Sequence, residues 1–70
     1  MEKKDFTIGS LWRRSVDGVD PCYFLVIKIR SLDVQFAGLF FGYEKEVGTY
    51  FFNWKEILST ETRVKWEKVS

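Results

Sequence analysis

The chain has 70 residues, 46% hydrophobic and 19% aromatic, with eleven basic and ten acidic side chains giving a net charge of +1. That composition describes one small folded domain and excludes a disordered segment, which would be poor in aromatics. The charge balance gives no broad positive excess for nucleic acid, the absence of histidine removes the commonest general base, and a single cysteine allows no intrachain disulfide.

The N-terminus, MEKKDFTIGS, has no apolar core of the kind a signal peptide requires. Residues 1–5 are expected to form a flexible arm, with order beginning at Gly9. LWRRSV (11–16) reads as a first strand, followed by a turn at DGVDP (17–21). CYFLVIKIR (22–30), rich in β-branched and aromatic residues, is the clearest strand. Its apolar run, 23–27, is too short to span a bilayer, and with the lone cysteine this predicts a soluble protein of the reducing cytoplasm. Residues 31–33 make a short turn into a third strand, VQFAGLFF (34–41), where Gly38 is expected to mark a bend or bulge. GYEKEVG (42–48) is a charged loop: a solvated hairpin, or a specificity loop beside a binding face. Residues 49–52 form a fourth strand, and NWKEIL (53–58) one helical turn, with Asn53 as cap and Trp54, Ile57 and Leu58 on one side. TRVKWEKV (62–69) is a fifth strand, with Val64 and Trp66 on one face.

Four strands, a helical turn and a last strand predict an all-β chain that must protect its sheet edges, and a small barrel does so compactly. This order resembles the SH3-like small barrels, in which a short 3₁₀ turn joins strands four and five. The resemblance covers residues 9–69 and implies a single SH3-like barrel domain spanning residues 1–70. Signalling SH3 domains carry an ALYDY-type stretch in the first loop, and a proline and a tyrosine near the 3₁₀ turn. LWRRSVD and FFNWKEIL match neither, so polyproline binding is not expected. No distinctive motif of the Tudor-like or KOW-like barrels stands out.

No catalytic, metal or cofactor signature is present, so no cofactor, no metal and no enzymatic activity are expected. Cys22 lacks a histidine partner and reads as a packing residue. The aromatics carry the information. Alternate strand residues point to opposite faces, so in Tyr23-Phe24, Phe40-Phe41 and the run Tyr50-Phe51-Phe52 some rings must face away from the core. A bent barrel strand can cover both faces. Alternatively, Phe24, Phe41 and Phe51 form an exposed apolar patch, flanked by Tyr43 and Trp12. A second feature is cationic. Pairing the start of the first strand with the end of the second is expected to gather Arg13, Arg14, Lys28 and Arg30 beside Trp12. Such a cluster is either a solvated barrel face or a site for phosphates or an acidic partner.

The leading expectation is a non-catalytic protein–protein interaction module. Small free-standing barrels of this kind resemble accessory proteins of phages and other mobile elements, which implies binding to a host protein and blocking it. One alternative is a nucleic-acid-binding barrel, with Arg13, Arg14, Lys28 and Arg30 on phosphates and Trp12 stacking a base. The other is a structural homodimer closed by the aromatic face.

Overall fold

Alternation of large apolar side chains shapes the sheet. The structure is a computed structural model and describes residues 1–39, 48–59 and 63–70. Those residues contain five antiparallel strands in one sheet: β1 (Leu11–Val16), β2 (Val19–Ile29), β3 (Asp33–Leu39), β4 (Thr49–Asn53) and β5 (Val64–Lys68). Their order is β4-β3-β2-β1-β5, so β4 and β5 are the edges. A single-turn helix, α1 (Trp54–Ile57), follows β4, and a 3₁₀ turn, Lys3–Asp5, precedes β1.

The first turn is tighter than DGVDP suggests. Val16 pairs with Val19 and Gly18 has φ +79°, so residues 17–18 alone reverse the chain. Pro21 then falls inside β2, where proline would ordinarily break the ladder. The register shifts between Arg14 and Val16 at that point, and the proline sits opposite the irregularity.

β2 is the long strand, pairing with β1 from Val19 to Leu25 and with β3 from Tyr23 to Ile29. A second register shift, between Val26 and Lys28, leaves Ile27 as an extra residue. Such bulges bend a strand and increase its twist, so the sheet coils around its inner face. The outcome is visible at the edges: the Phe52 ring of β4 and the Trp66 ring of β5 meet with centroids 5.3 Å apart.

The inner face holds Trp12, Phe24, Val26, Val34, Phe36 and Trp66, and Phe36 and Val34 are fully buried. Cys22, Tyr50, Phe52, Leu58 and Val64 are partly buried and pack against them. Rings meet mostly edge to face, as Phe24 does with Phe36, Tyr50 and Phe52, a geometry the ring quadrupole favours.

The start of the ordered chain is a correction, because it lies before Gly9. Phe6 is 2% exposed and stacks on Trp12, centroids 3.8 Å apart and planes 10° apart. The charged residues at 2–5 obscured this single ring, which covers an end of the core the sheet leaves open. The connection to β1 is pinned by Ser10, whose buried hydroxyl accepts from the Trp12 indole N–H at 2.9 Å and donates to the Thr7 carbonyl at 2.6 Å.

Gly38 is a second correction. It pairs regularly with Phe24, without a bend or bulge. Its role is steric: a Cβ there would drive into the Tyr50 ring, which lies across the glycine from β4.

α1 follows the capping logic of NWKEIL. The Asn53 side chain accepts from the Glu56 backbone N–H at 2.8 Å, satisfying one orphan donor of the first turn. Trp54 and Ile57 are buried, and the Trp54 indole donates to the Arg30 carbonyl at 3.1 Å. Asn53→Ala is expected to cost about 1 kcal/mol, measured as a lower urea midpoint. An unchanged midpoint would mean that Trp54 and Ile57 hold the turn without the cap.

Candidate interaction surface

The outer face of the sheet follows from the inner one. Tyr50 and Phe52 turn inward against the core, so Phe51 between them turns outward, with 53% of its surface exposed. Phe51 pairs with Gln35, and Gln35 with Lys28, giving one row across β4, β3 and β2. The next row is Thr49, Ala37, Leu25 and Leu11. A third joins Leu39, Tyr23, Arg13 and Glu67. Leu11, Leu25, Ala37 and Leu39 are each only half-buried. An apolar strip therefore crosses the outer face next to Phe51.

Charges border the strip. The Arg30 guanidinium lies over the Phe51 ring, 5.1 Å from its centroid. Asp33 holds that guanidinium with two contacts, 2.7 and 3.0 Å. The guanidinium thus sits on the ring while about half of Phe51 stays exposed. Leu32, 79% exposed, follows Arg30 closely in the same hairpin turn, and its carbonyl accepts from the Trp54 N–H. At the far side Arg13 is paired with Glu67 at 2.9 Å. Hydrogen bonds to Glu67 and then to Tyr23 raise the Arg13 pKa above its ordinary value, so it stays charged at any physiological pH.

The expected site residues are distributed differently from the sequence reading. Phe24 is not on the surface; it is 6% exposed and central to the core. In the pair Tyr23-Phe24 it is Tyr23 that takes the outward place, because its register partners Arg13 and Leu39 lie on the outer face. Phe41 and Tyr43 fall outside the described residues, as does the charged part of the loop that carries Tyr43. Trp12 is 3% exposed beneath Phe6, with its indole N–H bound to Ser10, and offers no face to a base.

The four-cation cluster does not form. The two-residue turn sets the register so that Arg13 and Arg14 face Tyr23 and Cys22, and Leu11 already pairs with Leu25. Lys28 and Arg30 lie beyond the paired end of β1, beside β3. Lys28 remains exposed, opposite Gln35. Arg30 and Arg13 are neutralised by Asp33 and Glu67.

Two features went unread. The apolar outer strip was signalled by CYFLVIKIR, whose opening is continuously apolar rather than alternating, the mark of a strand covered on both faces. Arg14 lies on the inner side with Trp12, its guanidinium 5.1 Å from the Phe52 centroid and 5.8 Å from that of Trp66. It borders a cleft of about 380 Å³ lined also by Asn53, Lys55, Glu56, Ser59 and Val64. Cys22 is half-buried and packs on the core.

Among the described residues no group of three or more Cys, Asp or Glu side chains could hold a metal ion, and no helix is long and apolar enough to cross a membrane. No family model matches the chain, and no curated protein or solved structure shows significant similarity to it.

Proposed function

We propose that the chain is a small SH3-like barrel acting without catalysis, as a protein-interaction module whose contact surface is the outer face of β2, β3 and β4 around Phe51. The strand order, with a helical turn before the last strand and rings of the two edge strands in contact, supports the barrel reading. The observation that carries the functional reading is Phe51: a large ring, half exposed, beside an apolar strip and framed by ion pairs. Aromatic anchors inside a polar rim are the usual anatomy of a protein interface. Burying the exposed part of such a ring contributes on the order of 1–2 kcal/mol by itself, so several neighbours must be covered with it. The module works by occupying a partner's surface, and so can block it.

The nucleic-acid reading is weaker, because Trp12 is in the core and two of its four cations are already paired. A homodimer is the second reading, favoured by the position of Phe51 on an edge strand, where two copies can meet.

The test compares the wild-type chain with Phe51→Glu. Light scattering over a hundredfold concentration range gives the oligomeric state, and affinity capture followed by mass spectrometry gives the partners. Phe51→Glu is expected to keep its circular dichroism spectrum and melting temperature, and to lose proteins the wild type retains. A wild-type dimer converted to a monomer would make the partner a second copy. Identical capture by both chains would remove the face from consideration, and capture of nucleic acid that collapses with salt would favour the other class.

A further inference from the structure

We propose that the cleft between β1, β5 and α1 is a carboxylate-binding site, with Arg14 as its principal ligand. This site is separate from the Phe51 face. Arg13 points outward and finds Glu67, whereas Arg14, its neighbour, lies on the inner side among rings. Phe52 and Trp66 attract the cation through their faces, but they offer nothing to its in-plane N–H groups. Arg14 forms no ion pair with a described residue. Among the described residues its Nε is buried without a hydrogen-bond partner, as are Nε of Arg13, whose fork is nonetheless held by Glu67, and Nε1 of the flanking Trp66. Unmet buried donors are rare in folded proteins because each forfeits its solvation without compensation.

The guanidinium opens on the cleft of about 380 Å³, which has room for a side-chain-sized group. Lys55 adds a second cation to the wall. Asn53 spends its carbonyl oxygen on the Glu56 N–H, which leaves its amide N–H₂ as a donor. Val64 supplies an apolar wall for the carbon skeleton of a ligand. A planar carboxylate matches this set, because it accepts two parallel N–H bonds from an arginine fork. Charge selects against phosphate. Glu56 shares the wall with Arg14 and Lys55, so one negative charge balances the cleft, and a dianion would face the glutamate with no cation to answer it.

The carboxylate can belong to a small organic acid or to an acidic residue of a polypeptide. The experiment is a ¹H–¹⁵N titration of the full chain, following the Arg Nε–H and Trp Nε1–H resonances at constant ionic strength. The probes are sodium acetate, a blocked glutamate-rich peptide, inorganic phosphate, and sodium chloride as control. The Arg14 and Trp66 signals are expected to move saturably with acetate and with the peptide, and not with chloride. Peptide binding tighter than acetate makes the source a polypeptide, and equal binding per carboxylate makes it a small acid. Arg14→Lys keeps the charge but loses the fork, and is expected to weaken binding about tenfold, the equivalent of one charge-assisted hydrogen bond. Lys55→Gln, on an exposed side chain, is expected to weaken it less. Should Arg14→Lys not fold, the wild-type titration alone decides, since the Arg14 Nε–H resonance reports directly. Absence of saturable movement, equal movement with chloride, tighter binding of phosphate, or unchanged affinity in a folded Arg14→Lys chain would each overturn the proposal.

Discussion

Phe6→Ala is expected to leave a large fraction of the chain unfolded at room temperature. Removing a buried phenylalanine costs about 3–5 kcal/mol. At about 0.05–0.15 kcal/mol per residue, a domain of 70 residues has a total stability of the same order or only modestly larger. The loss is concentrated because Phe6 touches every tryptophan of the chain: it stacks on Trp12 and meets Trp54 and Trp66 edge-on, at 5.7 and 6.2 Å. Urea unfolding followed by tryptophan emission reads the effect directly. A midpoint close to that of the wild type would mean that the core begins at Gly9 and does not need Phe6.

Gly38→Val should be nearly as damaging, against the grain of strand propensity. Valine is favoured over glycine in strands by up to about 1 kcal/mol. Here the new side chain must occupy the space of the Tyr50 ring, which packs against Phe24 at 5.4 Å. Forcing extra methyl groups into a filled site costs about 1–3 kcal/mol, so the clash wins and the net change is destabilising. The signature is coupling. Tyr50→Ala alone removes packing, yet in the double variant it relieves the overlap, so the loss in the double variant should fall short of the sum of the two single losses by about 0.5–3 kcal/mol. Simple additivity in a thermal or urea melt would show that the ring moves aside at no cost.

Much of this architecture was legible. LWRRSV gave the first strand with its bounds, Asn53 the cap of the helical turn, and Val64 and Trp66 the inner face of the last strand. Each depends on neighbours a few residues away, where periodicity and capping act. The errors came from register. Taking all of DGVDP as the turn shifts the β1–β2 register by two positions, which drew Lys28 and Arg30 towards Leu11–Arg14 and suggested a cationic cluster that β1 and β2 do not make. Alternation said that one ring of each aromatic pair faces out, but not which one. The choice of Tyr23 over Phe24 depends on pairing with β1 and β3, which no local pattern contains. Phe6 escaped for the opposite reason: one isolated ring has no period, and only the tertiary gap it fills gives it meaning. Of the expected surface, Phe51 is exposed and bordered by Arg30 and Asp33, while Phe41 and Tyr43 lie outside the described residues.

The ladder between β1 and β5 bears on how the chain folds. Trp12 pairs with Lys68, nearly the whole length of the chain away, whereas the other three ladders join strands adjacent in sequence. Closing that long loop adds little entropy over a shorter one, since the cost grows only logarithmically. What it delivers is Trp66, whose ring touches Phe6, Phe24, Phe36 and Phe52. The packing of the core thereby ties the two ends of the chain to each other, and β5 cannot leave β1 without opening contacts to four rings.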